Sequence, residues 1–255
     1  MKEKYAGSVL PAAQPRPGAI PPPPDPCAAC SARVLSVCAA ADEHHLKQLA
    51  ELTTPVEVEA HRTFIMAGEP ANYLFNITEG VVKVYRLLPD GRQQITGFLF
   101  AGDFLGLATA NVYAFNAEAV TPVRYCRFAR KPLEQFLGEA PKMERQLLTI
   151  ASNELAAAQE QMVLLGRKTA REKLASFLLV LAQRMKRLGK PADTPDLPMS
   201  RADIADYLGL TTETVSRTFT QFRTQGLIEL PKSGGVRLKN RSALVKISGS
   251  VESAD

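Results

Sequence analysis

Apolar and polar residues between positions 200 and 226 recur with the period of two short helices joined by a tight turn. Ser200 and Asp203 have the spacing of a capping box at the start of the first helix. Gly209 is suited to end that helix, because glycine adopts a left-handed backbone without steric cost. Thr211 is then the expected cap of the second helix. The apolar face of the second helix consists of Val215, Phe219 and Phe222. The pattern predicts a helix-turn-helix.

The polar face of the second helix presents three side chains near its N-terminal end. Glu213, Ser216 and Arg217 lie at i, i+3 and i+4 and therefore project together. Arginine can donate two hydrogen bonds to guanine, glutamate can accept one from cytosine, and serine can serve either role. Such residues meet base edges when a helix enters the major groove, so we predict binding to double-stranded DNA. A small helical hairpin with a solvated face is the alternative.

Two short apolar runs after the helices predict a β-hairpin. Leu227–Leu230 and Val236–Leu238 are separated by the turn residues 231–235, which include proline and two glycines. The hairpin would make the module a winged helix-turn-helix. Its cations are expected to lie near DNA phosphates: Lys232, Arg237 and Lys239.

The region from Thr53 to Phe128 has the pattern of short strands. Alternating segments such as 82–85 are separated by glycine-containing turns such as 89–91 and 101–103. Closely spaced strands with regular turns predict a small antiparallel barrel or jelly roll. A short helix before the first strand is expected to begin at Asp42.

A long helix is predicted from Pro141 to about Leu165, ending at Gly166. Its apolar residues recur with a period of 3.5, which is the seam of a coiled coil. The seam consists of Leu148, Ala151, Leu155, Ala158, Met162 and Leu165. A second stripe beside it consists of Leu147, Ile150, Ala157 and Leu164. We expect one stripe to pack on the chain's own barrel and the other on a second copy, which gives a homodimer. A helix buried within a single chain is the alternative.

Charge is distributed unevenly along the 255 residues. The net charge is +5, but residues 167–246 contain 16 Lys/Arg and 7 Asp/Glu, a net of +9. A basic module of this kind is typical of a protein that binds a polyanion. No stretch approaches the length of a membrane span, and the N-terminus lacks the apolar core of a signal peptide. We expect a cytoplasmic protein with no membrane partner.

Four cysteines are candidates for a metal site: Cys27, Cys30, Cys38 and Cys126. Three of them are clustered, and a clustered set in a cytoplasmic chain is more typical of metal binding than of disulfides. Thiolates suit an iron–sulfur cluster or a structural zinc ion, and the residues alone leave both open.

Four stretches of the chain resemble the CRP/FNR superfamily of bacterial transcription regulators, and most closely its FNR branch with FnrN- and FixK-like members. They are residues 94–103 in the barrel, 170–177 after the long helix, 206–217 in the helix-turn-helix, and the four cysteines. The resemblance extends from about Cys27 to Gly249 and implies an α+β fold. Its parts are an N-terminal β jelly-roll sensor barrel, a long dimerisation helix and a C-terminal winged helix-turn-helix.

The resemblance places domain boundaries along the whole chain. We expect a disordered proline-rich tail in residues 1–26 and a cysteine-bearing arm with the sensor barrel in 27–140. The dimerisation helix is expected in residues 141–166, the DNA-binding domain in 167–249 and a short tail in 250–255.

The resemblance also implies a function and its residues. FNR proteins hold an oxygen-labile 4Fe-4S cluster on three N-terminal cysteines and one barrel cysteine, which correspond here to Cys27, Cys30, Cys38 and Cys126. Their recognition helix carries residues that correspond to Glu213, Ser216 and Arg217, and it reads an inverted repeat with TTGAT-like half-sites. The chain would then be an oxygen-responsive regulator that controls anaerobic or microaerobic genes and contacts RNA polymerase.

Three other interpretations are less consistent with the sequence. A structural zinc site on the same fold would use the same four thiolates, but only one Cys-x2-Cys pair is present. A cyclic nucleotide or other small effector in the barrel would need a cation for its phosphate, and none follows Gly102-Asp103 before Arg124. An enzyme is not expected, because the three histidines form no His-x-His motif in the barrel and no catalytic triad spacing occurs.

Overall fold

The computed structural model describes residues 27, 30–107, 111–232 and 234–249. The predicted proline-rich tail (1–26) and C-terminal tail (250–255) lie outside the described residues. The chain within those ranges combines a β-sandwich, a long helix and a small helical module with a two-stranded wing. The α+β organisation predicted from the sequence is therefore confirmed.

Eight strands form two antiparallel four-stranded sheets that face each other. The strands are β1 Thr53–Val58, β2 Thr63–Ile65, β3 Tyr73–Glu79, β4 Val82–Leu87, β5 Gln93–Leu99, β6 Phe104–Leu105, β7 Asn116–Ala119 and β8 Val123–Ala129. The strand order is β1-β8-β3-β6 in the first sheet and β2-β7-β4-β5 in the second. Two sheets of this connectivity make a jelly roll, as the spacing of short strands and turns predicts.

Seven α-helices complete the described part of the chain. They are α1 Glu43–Glu51, α2 Arg130–Glu139, α3 Pro141–Arg167, α4 Ala170–Arg187, α5 Arg201–Leu208, α6 Thr212–Thr224 and α7 Arg241–Ser248. Two 3₁₀ helices, Arg33–Leu35 and Val37–Ala40, precede α1 and form the arm that carries the N-terminal cysteines. None of the helices in the described ranges is both long and apolar enough to cross a membrane.

Three apolar layers hold these elements together. One fills the jelly roll between the two sheets and includes Ile77, Val82 and Tyr125. A second lies on the outer face of the first sheet, where the arm, α1 and α2 cover Leu74 and Phe128. The third lies on the outer face of the second sheet, where its members include Ile95, Phe98, Leu178, Ile204 and Phe219. The arm and the helical module are thus on opposite outer faces of the sandwich.

The sequence signals for helix ends in the C-terminal module are confirmed. Ser200 forms the predicted capping box with Asp203, and the structure adds a second one, of Thr169 with Glu172, at the start of α4. Gly209 has a left-handed backbone with φ of 60° and ends α5. The wing consists of β9 Ile228–Glu229 and β10 Arg237–Leu238, in which Arg237 pairs with Glu229 and Leu238 with Ile228. These strands are shorter than the apolar runs that predict them.

The long helix α3 ends later than the sequence pattern indicates. The prediction that Gly166 ends it is wrong, because the helix includes Gly166 and Arg167, and Lys168 is extended. A glycine costs a helix only about 1 kcal/mol, so it does not end one by itself. The chain leaves the helix where Thr169 caps α4.

The two stripes of α3 have different surroundings. Leu147 and Ile150 of the second stripe pack against the layer that contains the cysteine arm. Leu148, Leu155 and Met162 of the seam are 67%, 61% and 68% exposed. This part of the seam is the uncovered stripe of α3, whereas Leu165 of the seam packs against the third apolar layer and Ala157 of the second stripe is exposed. That a second copy covers the uncovered stripe stays a prediction.

Candidate functional site

The exposed face of α6 presents the three residues that the sequence singles out. Glu213, Ser216 and Arg217 are all exposed, at the N-terminal half of the helix. Arg217 Nη2 lies 3.7 Å from Glu213 Oε1, so the two charged groups form an i, i+4 pair in the free protein. The pair is exposed to water and is therefore weak. This weak ion pair can break when DNA binds, which leaves both side chains available for hydrogen bonds to base edges.

The opposite face of α6 fixes the orientation of that surface. Val215, Phe219 and Phe222 are buried in the third apolar layer, as predicted. The guanidinium of Arg201 stacks 3.7 Å from the centroid of the Phe219 ring, and Arg171 lies 5.2 Å from that of Phe222. Each of the two buried rings therefore has a guanidinium group over its face.

The wing adds cations on the same module. Lys232, Arg237 and Lys239 are exposed, and Arg237 Nη1 lies 3.2 Å from Glu229 Oε2 across the hairpin. Cations at such positions are suited to phosphates rather than to bases.

The module is docked on the second sheet by polar contacts that no local sequence pattern indicates. Lys83 Nζ on β4 lies 3.0 Å from Asp203 Oδ1 on α5 and 3.0 Å from Glu118 Oε1 on β7. Gln93 Nε2 donates to Asp206 Oδ2 at 2.6 Å, and Gln94 Nε2 donates to the Asp206 carbonyl at 2.6 Å. The first helix of the helix-turn-helix is thus bound to the β4–β5 hairpin.

The cysteine arm is a succession of tight turns. The Cys30 N–H donates to the Cys27 carbonyl at 3.4 Å, and the Arg33 N–H donates to the Cys30 carbonyl at 3.2 Å. Cys38 lies in the second 3₁₀ helix, where the buried Ser36 side chain accepts from its N–H at 3.2 Å. Cys27 and Cys38 are buried and Cys30 is half-buried. Cys27 and Cys38 lie in the apolar layer on the first sheet, and Cys30 is held by the turn that follows Cys27.

Cys126 reaches the same layer from β8. It is half-buried, packs against the layer that contains Cys27 and Cys38, and is opposite Pro55 of β1 and Asn76 of β3. Burial first, and then the nearby thiolates of Cys27, Cys30 and Cys38, raise the pKa of its thiol to about 12. Burial also raises the pKa of Cys38. The structure therefore brings the four cysteines within electrostatic reach of one another.

The four thiols are a donor set that an iron–sulfur cluster or a zinc ion can use. In the described ranges, no three His, Cys, Asp or Glu side chains converge closely enough to hold one metal ion. A tetrahedral zinc ion needs its thiolates about 2.3 Å from a single centre. In a 4Fe-4S cluster each thiolate binds a different iron at a corner of a larger group. Three thiols on the arm and one on β8 would supply the four terminal ligands that such a cluster needs.

The arm also contacts the turn between β5 and β6. Gly102 has φ of 94°, and a Cβ added to it would lie 2.5 Å from Leu35 Cβ in the arm. The next residue, Asp103, accepts from the Phe100 N–H at 2.9 Å and forms an ion pair with Arg184 of α4. A cleft of about 460 Å³ lies where the arm, this turn and α4 meet.

Comparison with known proteins relates both parts of the chain to transcription regulators. Residues 172–247 match the family model of the Crp-like helix-turn-helix domain, and residues 55–140 match that of the cyclic nucleotide-binding domain. The nitrogen fixation regulation protein FixK of Bradyrhizobium diazoefficiens is 42% identical over 208 residues, which cover 82% of this chain and 88% of FixK. The transcriptional activator protein FnrL of Cereibacter sphaeroides is 35% identical over 227 residues, covering 88% of this chain and 92% of FnrL. The solved structure of FixK2 from Bradyrhizobium japonicum has a TM-score of 0.73 and 37% identity, and it covers 78% of this chain and 98% of that one.

Proposed function

Since the chain belongs to the CRP/FNR family of DNA-binding transcription regulators, we propose that it is an oxygen-responsive member of that family. In this proposal it acts as a homodimer when a 4Fe-4S cluster is intact, and it controls anaerobic or microaerobic genes. One observation carries the proposal: Cys126 of the barrel packs against the layer that contains the cysteines of the arm.

The DNA-reading role rests on the exposed face of α6. Arg217 would donate to the guanine of a TTGAT-like half-site, while Glu213 and Ser216 would contact neighbouring bases. Their exposure and their position near the N-terminus of α6 support these roles. Lys232 and Lys239 of the wing would contact phosphates and fix the register of the helix in the groove.

The homodimer rests on the uncovered stripe of α3. Leu148, Leu155 and Met162 are spaced by seven residues and are exposed along one side of the helix. Pairing two such stripes would bury them and relate two copies of α6 by a two-fold axis. An inverted-repeat operator has the same two-fold symmetry, so pairing through this stripe is consistent with binding to such an operator.

The oxygen response rests on Cys27, Cys30, Cys38 and Cys126. A bound 4Fe-4S cluster supplies an iron–sulfur centre that oxygen degrades. The four thiolates would hold that centre between the arm and β8, so that the arm stays fixed on the sandwich while the cluster is present. Without it the arm would keep only its apolar and backbone contacts.

The arm is in contact with the helix that would dimerise. Met143, Leu147 and Ile150 of α3 belong to the layer in which Cys27 and Cys38 are buried. A change in how the arm packs therefore changes the support of α3 on the side opposite its uncovered stripe. This contact is the proposed route from the cysteines to dimerisation and DNA binding.

We propose no role for a cyclic nucleotide, although the barrel matches that domain family. The carboxylate of Asp103 occupies the turn that would approach a phosphate, and Arg184 is already paired with it. RNA polymerase remains a proposed partner. The β4–β5 turn is a suitable contact for it, because Leu87 and Leu88 are 60% and 41% exposed there.

The first experiment measures iron, acid-labile sulfide and zinc in anaerobically purified protein and follows the visible spectrum as air is admitted. We expect about four irons and four sulfides per chain, with colour lost in air. Cys126→Ser should lose the colour and the anaerobic DNA binding, whereas Asn153→Ser, at an exposed position of α3 outside the uncovered stripe, should lose neither. Stoichiometric zinc without sulfide would overturn the oxygen-sensor proposal and make the four thiolates a structural zinc site.

A further inference from the structure

A buried polar group lies beside the cysteine site without a partner. Asn76 on β3 is only 1% exposed, and its Oδ1 has no hydrogen bond. In the part of the chain that the structure describes, it is the one buried side-chain oxygen or nitrogen in this situation. An unsatisfied polar group in an apolar layer destabilises the fold, so its presence there calls for a physical reason.

The register of the sheet identifies its neighbours. Asn76 pairs with Phe104 of β6 on one side and with Cys126 of β8 on the other. Residues that pair directly in antiparallel strands lie on the same face, with Cβ atoms about 4.5–5.5 Å apart. Phe104 has no hydrogen-bonding group, whereas Cys126 has a thiol. The side chain of Asn76 therefore lies on the outer face of the first sheet, next to the sulfur of Cys126.

We propose that Asn76 is a positioning residue for the sulfur site: its carboxamide donates a hydrogen bond to the thiolate of Cys126 or to a neighbouring sulfur when the cluster is bound. This inference rests on the proposed function. A half-turn about the terminal bond exchanges the oxygen and nitrogen of the carboxamide, and the two orientations occupy the same space. The Nδ2–H group then faces an anionic acceptor, which makes the hydrogen bond stronger than one between neutral groups.

Such a bond has a defined consequence for the iron–sulfur centre. Hydrogen bonds to the sulfurs help to set the reduction potential of a cluster, together with its net charge and its exposure to solvent. They also hold the ligands in place, and loss of an outer hydrogen-bonding partner typically weakens metal retention 10- to 100-fold. Asn76 would therefore raise the potential of the bound cluster and slow its loss in air.

The test compares two variants of Asn76 in the full chain after anaerobic reconstitution with iron and sulfide. Asn76→Leu removes the donor, and Asn76→Thr restores one through its hydroxyl group. The readouts are the midpoint potential, the rate of iron loss to a chelator and the lifetime of the visible spectrum in air. We expect Asn76→Leu to lower the potential and to accelerate iron loss on the order of tenfold. Asn76→Thr should return both values most of the way to those of the wild type.

A second asparagine provides the matched control. Asn116 on β7 is 8% exposed, and its Oδ1 accepts from the Ala67 N–H at 3.0 Å. Asn116→Leu should destabilise the metal-free fold without changing the potential, whereas Asn76→Leu should leave the metal-free fold at least as stable as the wild type. Wild-type potential and iron loss in Asn76→Leu would overturn this inference alone. A wild-type chain that binds no iron and sulfide would overturn both the inference and the proposed function.

Discussion

Lys83 and Asp203 are separated by 120 residues in the sequence, yet Lys83 Nζ donates to Asp203 Oδ1 at 3.0 Å. Both side chains are largely buried, at 12% and 14% exposure, where the helix-turn-helix meets the jelly roll. Asp203 also accepts from the Ser200 N–H at 3.0 Å, so one carboxylate both caps α5 and binds the barrel.

Replacing Lys83 with methionine should weaken the whole fold. The variant keeps an apolar side chain of similar reach but leaves Asp203 and Glu118 without their shared cation. We expect the free energy of unfolding in urea to fall by about 1–3 kcal/mol. The control is Lys190→Met, since Lys190 pairs with Asp196 at 3.0 Å but both are more than half exposed. That change should cost less than about 1 kcal/mol, and equal losses in the two variants would contradict the argument.

Acid should release the same contact. Burial by itself raises the pKa of Asp203, but hydrogen bonds from Ser200 and Lys83 outweigh it and hold the pKa below its usual value. A carboxyl group whose pKa is depressed by folding stabilises the fold above its unfolded pKa of about 3.9 and loses that contribution as pH falls through the folded value. Stability should therefore be steady through neutral pH and decline below about pH 4. The decline should be smaller in Lys83→Met; parallel pH curves for the two proteins would refute the assignment.

Arg217 should determine discrimination at one base pair. Arg217→Ala is expected to cost about 1–3 kcal/mol on the specific operator and to relax the preference at a single position, measured by competition binding at fixed salt. Lys239→Ala serves as the comparison, because a phosphate contact should weaken all sequences equally and reduce the slope of log affinity against log salt by about one. If Arg217→Ala keeps the preference at every base, the residue does not read the operator.

The uncovered stripe of α3 should be required for pairing of two chains. Leu155→Asp places a charge at the centre of that stripe, and a charge buried without a partner opposes association. Sedimentation of the anaerobic protein should change from dimer to monomer, with loss of affinity for a full inverted repeat. Asn153→Asp introduces the same charge at an exposed position on another side of the helix and should leave the dimer intact. If the Leu155→Asp protein is still a dimer, the uncovered stripe of α3 is not the dimer interface.

Gly102 should be intolerant of a side chain because of the arm. Gly102→Ala and Gly68→Ala share a positive φ, 94° and 90°, and hence a similar backbone strain of about 1–2 kcal/mol. The added Cβ meets Leu35 at 2.5 Å in the first case and nothing within 4 Å in the second. Gly102→Ala should therefore lose about 1–3 kcal/mol more in urea unfolding and expose the arm to protease earlier. Equal free energies of unfolding for the two variants would show that the arm moves away from the added Cβ without loss of stability.

The elements with local end signals could be predicted from the sequence, and those without could not. Ser200, Gly209 and Thr211 carry their own capping chemistry, so α5 and α6 begin and end where expected. Helix α2 was not predicted, since its cap, Ala129, makes no side-chain hydrogen bond and Pro132 and Gly138 interrupt its pattern. Helix α7 is absent from the elements predicted above, although its sequence carries end signals: Asn240 caps it and Gly249 ends it.

The other features that the sequence does not predict are contacts between residues far apart in the chain. Lys83 contacts Asp203, and Asn76 lies beside Cys126, because of how the sheets pair and pack. The spacing of neighbouring residues in the sequence does not predict either contact. The exposed faces of α6 and α3 follow from periodicity, because a helix that buries one stripe must expose the opposite one. The surfaces of the molecule were therefore more predictable than its internal junctions.

The long helix α3 begins in one apolar layer and ends in another. Met143 is buried with the cysteine arm and Leu164 with the DNA-binding module, and the 27 residues of the helix extend for about 40 Å. Apart from this helix and the junction where the arm, the β5–β6 turn and α4 meet, the sandwich keeps those layers on opposite faces. The effects on stability of most changes in one layer should therefore add independently to those in the other. A different sensing arm could thus be designed onto this fold if Met143, Leu147 and Ile150 are kept as the residues on which it packs. Such a protein should recognise the same operator.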